Sequence, residues 1–312
     1  MIIILLIAIM LFFVIFYKKF LHQCNVEYIN FINKYCKNDI LENSLHYYFN
    51  GIRNNELINS ILYRNNIIEY SGILSDEFKV GFEKFNDLLI SRLEYKNILK
   101  NAYNNLFISD NSKNDLYSYW NYADENNTKW ISYMSTLTKY DATNIVNNIK
   151  NHIISPILDI GGNDGTLSNK IKENDNTLDV VVFDLPQVVK KGKERYKNIN
   201  FVSGNFLENN AVPHGYNTCI FKSVLHDHDD YSVIKLFNNI KTKFKRCIIC
   251  EVMGDLKDIS FEQPYFDYLI PFSNVIRKKE WYMNLIKKLN MKIIQIKECN
   301  KTLYTTIVID FF

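Results

Sequence analysis

From Pro156 onward the sequence alternates short β-branched runs with helical stretches, and this alternation restricts the fold more than any other feature. The runs are Pro156–Ile160, Leu178–Phe183, Ile199–Val202, Thr218–Phe221, Cys247–Val252, Lys292–Ile296 and Tyr304–Ile309. Strand alternating with helix calls for a mostly parallel sheet with right-handed crossovers. A mostly polar turn, Glu298-Cys299-Asn300-Lys301, separates the last two runs and suits an antiparallel hairpin closing the sheet edge. Residues 151–312 are accordingly expected to form an α/β domain.

The preceding stretch, residues 21–150, has no glycine-rich loop, only the isolated Gly51, Gly72 and Gly81. Apolar residues recur there at helical spacing, in Phe82-x-x-Phe85-x-x-Leu88-Leu89 and around Ile131 to Met134, so a helical domain is expected. Tyr117, Tyr119, Trp120, Tyr122, Trp130 and Tyr133 form an aromatic cluster suited to a core or a pocket wall. Residues 1–20 differ again: Ile2 to Tyr17 carries no charge and runs into Lys18 and Lys19. As a helix it would be roughly 24–30 Å long at ~1.5 Å per residue, the short end of a membrane span. With no basic segment before it and no small-x-small cleavage pattern after it, a retained anchor is favoured over a signal peptide. The flanking lysines favour a cytoplasmic body.

Composition excludes some classes. The 37 basic and 34 acidic residues nearly balance and form no Lys/Arg block, so no nucleic-acid partner is expected. The 47% of hydrophobic residues are ample for a core in each domain. Six scattered cysteines make no disulfide framework. Cys247-x-x-Cys250 lies in an apolar run without a second pair, and reads as a buried strand and not a zinc site.

Three places carry chemistry. Leu158-Asp159-Ile160-Gly161-Gly162-Asn163-Asp164-Gly165-Thr166 reads as a strand, a glycine turn and a helix start, where backbone can approach a ligand closely. Its spacing differs from the G-x-G-x-x-G dinucleotide fingerprint, which favours an adenosyl ligand over NAD. Asp184, in Phe183-Asp184-Leu185-Pro186, ends the second strand at about the 20-residue distance expected of a ribose-binding acid. The third, Lys222-Ser223-Val224-Leu225-His226-Asp227-His228-Asp229-Asp230, follows the fourth strand at its carboxyl end, where open parallel sheets place their chemistry. Glu251 ends the next strand, so His226 and Glu251 are candidate catalytic partners. His228 and the Asp229-Asp230 pair read as helix-start residues, and no metal site is expected because these groups would compete within one short turn.

In their order these motifs resemble the small-molecule O-methyltransferases of plants and bacteria, the caffeate, flavonoid and hydroxyindole O-methyltransferase family. The resemblance runs from about Trp120 to the C-terminus and includes Gly204-Asn205-Phe206, Pro213-x-Gly215, Lys222-x-x-x-His226-Asp227 and Glu280-Trp281. It implies a Rossmann-like class I methyltransferase sheet, mostly parallel with an antiparallel C-terminal strand, with S-adenosylmethionine as cofactor. The implied cofactor site comprises Asp159, Gly161, Gly162, Gly165, Asp184, Leu185, Asn205, Phe206 and Lys222. His226 would be the general base with Glu251 beside it, while Met134 and Asp227 would face the acceptor. A hydroxyl on a small, aromatic molecule is the implied substrate, and the family commonly dimerises through its N-terminal half. Asn163, Asn205 and His228 stand where the family usually has Gly, Asp and Trp, and the family's Glu-Arg-Thr stretch appears as Ile276-Arg277-Lys278-Lys279. These departures leave two alternatives, an inactive binding or scaffold protein of the same fold and an N-methyltransferase.

Overall fold

A computed structural model describes residues 27–36, 39–50, 55–69, 71, 73–108, 124–253, 276–299 and 302–311. The apolar segment of residues 2–17, Cys24, and Tyr117, Tyr119, Trp120 and Tyr122 lie outside them. Among the described residues no helix is long and apolar enough to cross a membrane.

Among the described residues five helices come first: α1 (Glu27–Tyr35), α2 (Asp39–Phe49), α3 (Glu56–Arg64), α4 (Asp76–Ile108) and α5 (Asp124–Ile149). The apolar spacing in the sequence explains their packing, since Phe85, Leu88 and Leu89 of α4 are buried while Phe82 packs partly against the same core. Helix α4 kinks at Phe85, whose backbone leaves helical geometry (φ −128°, ψ 23°). Asn55 starts α3 by accepting hydrogen bonds from the Leu57 and Ile58 amides, the usual satisfaction of orphan donors at a helix start.

The chain then forms β1 (Ile157–Ile160), α6 (Thr166–Asn174), β2 (Val180–Asp184), α7 (Pro186–Arg195), β3 (Asn200–Ser203) and β4 (Thr218–Lys222). It continues with α8 (Asp230–Ile240), β5 (Arg246–Val252), α9 (Lys279–Lys288), β6 (Lys292–Glu298) and β7 (Tyr304–Asp310). The seven strands make one sheet in the order β3-β2-β1-β4-β5-β7-β6. Pairings from β3 to β5 are parallel; β7 runs antiparallel between β5 and β6. The seven runs read from the sequence are these strands, with ends shifted by a residue or two, as hydrophobic pattern alone fixes ends poorly. The expected hairpin is present, but its second strand is inserted into the sheet and its first forms the edge.

One apolar core runs through both regions. Tyr28 and Leu45 of the helical part share a buried cluster with Ile157 of β1 and Val308 of β7, linked by Ile145 and Ile149 of α5. Cys219, Cys247, Cys250 and Cys299 are buried free thiols, and among the described residues no group of side chains could hold a metal ion. The apolar reading of Cys247 and Cys250 thus agrees with their place in β5. The order reverses between β1 and β4, where the first parallel strand is paired on both sides. At such a switch point the loops leaving the two strands diverge and open a crevice.

Candidate active site

The crevice is an open cleft of about 550 Å³ above β1 and β4. Asp159, Gly161, Gly162 and Asn163 line it from the first strand and its turn; Lys222, Ser223, His226 and Asp227 line it from the fourth. Helix α5 supplies Trp130, Met134 and Thr138, one every four residues and hence on one face, and Leu167 of α6 completes the wall.

The glycine turn is built by close contact. Gly161 has φ +69°, and a Cβ there would sit 2.6 Å from Val224 Cγ2. A Cβ on Gly162 would lie 2.7 Å from Asp159 Cγ and Oδ2. Asp159 is buried, its Oδ2 accepting from Ser168 Oγ at 2.7 Å while Oδ1 has no hydrogen-bond partner. Burial pushes its carboxyl up to about 6, against the pull of Ser168. Asp184 accepts from the Asn163 amide at Oδ2 (2.8 Å) and from the Leu185 amide at Oδ1 (2.7 Å), so the end of β2 is tied to the turn. Burial raises its carboxyl to about 6, partly opposed by those two amides.

At the end of β4 the backbone turns sharply, with Ser223 at φ +57°, into a 3-10 turn over Leu225–Asp227. Glu251, fully buried on β5, organises this turn. Its Oε1 accepts the Val224 and Leu225 amides at 3.0 and 2.8 Å, and its Oε2 lies 2.6 Å from His226 Nδ1. Nδ1 is therefore the donor, which leaves Nε2 for the cleft side, 3.4 Å from Asp227 Oδ1. Burial lowers the His226 pKa, but the Glu251 and Asp227 carboxylates outweigh it and raise the value to about 9. Burial likewise opposes ionisation of Glu251, yet His226 and the two amides hold its carboxyl below the ordinary glutamate range. His228, two residues on, behaves oppositely: burial, then His226 and Arg277, press it to about 4.

Arg277 clamps the same turn from outside. Its Nη1 and Nη2 donate to the Leu225 and His228 carbonyls at 2.6 and 2.5 Å, and its Nε donates to Asp230 Oδ1 at 2.8 Å. Its guanidinium also stacks over Trp281, 4.4 Å from the ring centre. Asp229 caps α8 by accepting the Ser232 amide at 2.7 Å, in keeping with the helix-start reading. In the sequence Arg277 is only a departure from the family pattern; its role depends on the Leu225 and His228 carbonyls, some fifty residues away, that the fold brings to it.

Lys222 sits almost fully enclosed. Its Nζ donates to Thr138 Oγ1 at 3.0 Å, lies 3.9 Å from buried Asp141 Oδ2, and stands 4.6 Å from the Tyr304 ring centre. Burial depresses its pKa, with Asp141 pulling the other way. Asp141 in turn accepts from Tyr28 Oη at 2.5 Å, which links α1 to the cleft. Sequence reading missed Thr138 and Asp141, although the spacing Trp130, Met134, Thr138 on one helix was available to find the first.

Of the residues expected at the cofactor, Gly165, Asp184, Leu185, Asn205 and Phe206 stand outside the cleft lining. Gly165 (φ +87°) precedes α6 and faces Phe201, which a Cβ would approach to 2.9 Å. Asn205 accepts the Leu207 amide at 3.0 Å, and Phe206 meets the His228 ring edge-on at 5.1 Å. Met134 and Asp227, expected to face the acceptor, both line the cleft.

Comparison with known proteins gives this arrangement its relatives. Eugenol O-methyltransferase of Ocimum basilicum is 31% identical over 121 residues, covering 36% of this chain and 33% of that protein. Strychnine O-methyltransferase of Strychnos nux-vomica is 29% identical over 149 residues, 46% and 39% of the two chains. The matched stretch thus spans well under half the length of these curated relatives. Human N-acetylserotonin methyltransferase, solved with S-adenosylmethionine, superposes with a TM-score of 0.66 over 97% of both chains at 16% identity. An O-methyltransferase from neocarzinostatin biosynthesis, solved with S-adenosylmethionine and 2-hydroxy-5-methyl naphthoic acid, gives 0.62 over 82% of this chain and 85% of its own at 13% identity. These two share the fold. Residues 94–268, more than half of the chain, match the model of the O-methyltransferase domain family, and the chain belongs to that family.

Proposed function

We propose that this protein transfers a methyl group from S-adenosylmethionine to a hydroxyl oxygen of a small phenolic molecule, with His226 as the base. The observation that carries the proposal is the buried His226–Glu251 pair at 2.6 Å beside a cleft that the glycine turn also lines. The family is S-adenosylmethionine-dependent, and the donor set here suits that cofactor. Asp159 Oδ1 and Asn163 Oδ1 are buried acceptors without a partner, which a ligand ammonium would satisfy. Lys222 offers a cation to a carboxylate, and Asp184 keeps lone pairs for ribose hydroxyls beyond its two amide bonds. Gly161 and Gly162 hold the turn tight against Val224 and Asp159, where a Cβ would come within 2.6–2.7 Å of those side chains.

When bound, S-adenosylmethionine supplies a methyl carbon activated by its positive sulfur, which departs as a neutral thioether. The chain's task is to position the acceptor oxygen and take its proton. His226 Nε2 accepts that proton, Glu251 holds Nδ1–H and stabilises the imidazolium, and Asp227 lies close enough to add to the effect. A histidine raised to about 9 nearly matches a phenol, whose reference pKa is about 10, so the transfer is close to thermoneutral. An aliphatic alcohol, far less acidic, would not be matched in this way. The neutral imidazole must first form, which disfavours turnover at low pH.

Calorimetric titration of the full chain with S-adenosylmethionine and S-adenosylhomocysteine tests the cofactor half of the proposal. Binding lost in Asp184→Ala is expected; no binding by the folded wild-type chain would move the reading to a scaffold of the same fold.

A further inference from the structure

Asn163 occupies the third position of the glycine turn with φ +54°, in the left-handed region. Glycine takes that conformation at no steric cost, whereas a side chain there is tolerated best when it is Asn or Asp. What the side chain touches explains its presence. Its Nδ2 donates to the Ile131 carbonyl and to Ser135 Oγ, each at 3.4 Å, both on α5. Ser135 Oγ donates its own hydrogen to Ile131 O at 2.7 Å, so its lone pair is left to accept from Asn163. Both neighbours are therefore acceptors, and this fixes which end of the amide is the nitrogen. The backbone of the same residue donates to Asp184 Oδ2 at 2.8 Å.

Asn163 thus joins three elements: the end of β2, the glycine turn, and the helix that presents Trp130, Met134 and Thr138 to the cleft. We propose that the Asn163 side chain is a positioning latch coupling the cofactor-binding turn to the acceptor-facing helix α5. The inference rests on the cofactor reading above. It makes Ser135, which does not line the cleft, felt at the cofactor site through Asn163 alone.

A double-mutant cycle on the full chain tests this, with S-adenosylhomocysteine as the probe and calorimetry as the readout. Asn163→Gly keeps the left-handed backbone and the amide to Asp184 while deleting both the latch and the Oδ1 acceptor offered to the ligand, whereas Ser135→Ala removes one acceptor of the latch and leaves that oxygen in place. Each is expected to weaken binding about three- to fivefold, the scale of one modest hydrogen bond. The double variant is expected to bind no more weakly than Asn163→Gly. Asn163→Asp, which keeps size, backbone and an acceptor oxygen but cannot donate, should likewise bind no more weakly when Ser135→Ala is added, and covers the case of a poorly folded glycine variant. Wild-type affinity in Ser135→Ala, or an equal further loss when it is added to Asn163→Gly, would overturn the latch and leave the cofactor reading standing. Absence of binding to the wild-type chain would overturn both.

Discussion

Glu251 Oε2 lies 2.6 Å from His226 Nδ1, while the other oxygen of the same carboxylate holds the backbone of the turn that carries the histidine. One buried side chain therefore sets both where the imidazole points and how strongly it binds a proton.

The pH dependence follows from that relationship. Only the neutral imidazole can act as base, and His226 is raised to about 9, so kcat/KM should climb with pH along a limb centred nearer 9 than the ordinary 6.5. Glu251→Gln removes the largest attraction on the imidazolium and leaves burial to dominate. Its limb should move to or below 6.5, with kcat reduced because the ring loses its anchor. A profile unchanged by this substitution would contradict the assignment. Stability carries the opposite sign: because the folded value is raised, the contribution from protonating His226 is complete below about 6.5 and is lost as pH rises through about 9.

Arg277 should matter more than a surface arginine. Its buried guanidinium satisfies the Leu225 and His228 carbonyls, so Arg277→Ala leaves the His226 turn unclamped. Denaturant unfolding should register a loss of about 2–4 kcal/mol, by the usual cost of removing charged hydrogen bonds from buried acceptors. Arg277→Lys should recover only part of this, since one ammonium lacks the fork that spans two carbonyls and Asp230. A lysine variant with wild-type stability would show that the fork is not needed.

Much of this architecture was legible in the sequence. The seven strands announced themselves because each is a short β-branched run between helices, and the carboxyl ends of parallel strands locate chemistry before any coordinates exist. Pattern alone puts the glycine turn after Asp159 and the segment from Lys222 to Asp230 at strand ends, whereas the cofactor roles of Asp159 and Lys222 rest on the family resemblance. In the sequence Asn163 stands only as a missing glycine, since its partners Ile131 and Ser135 lie about thirty residues away on α5. Asp141 was invisible for the same reason: its contacts with Tyr28 and Lys222 join three distant segments. Local periodicity reports which face of an element is buried, and says nothing of which polar groups meet across it.

The turn glycines give a further expectation. Gly161→Ala would force a Cβ to 2.6 Å from Val224 Cγ2 on a backbone at φ +69°, and Val224 leads directly into the His226 turn. Affinity for S-adenosylhomocysteine should fall by about five- to 150-fold, the range that strain of about 1–3 kcal/mol at such a position corresponds to. Gly215→Ala is the informative control: it also carries a positive φ, but a Cβ there meets nothing within 4 Å, so it should cost stability without a specific loss of binding. Equal binding losses in both variants would refute a local role for the Gly161 contact.

In the proposed reaction His226 takes a proton from a hydroxyl acceptor during methyl transfer. Transfer of labelled methyl from S-adenosylmethionine to a panel of phenols, run side by side for the wild-type chain and His226→Ala, tests it most directly. A labelled methyl ether is expected, with turnover in the variant reduced by about 10²–10⁴ and cofactor affinity nearly unchanged. Turnover in His226→Ala close to wild type, or transfer only to amine acceptors, would contradict it.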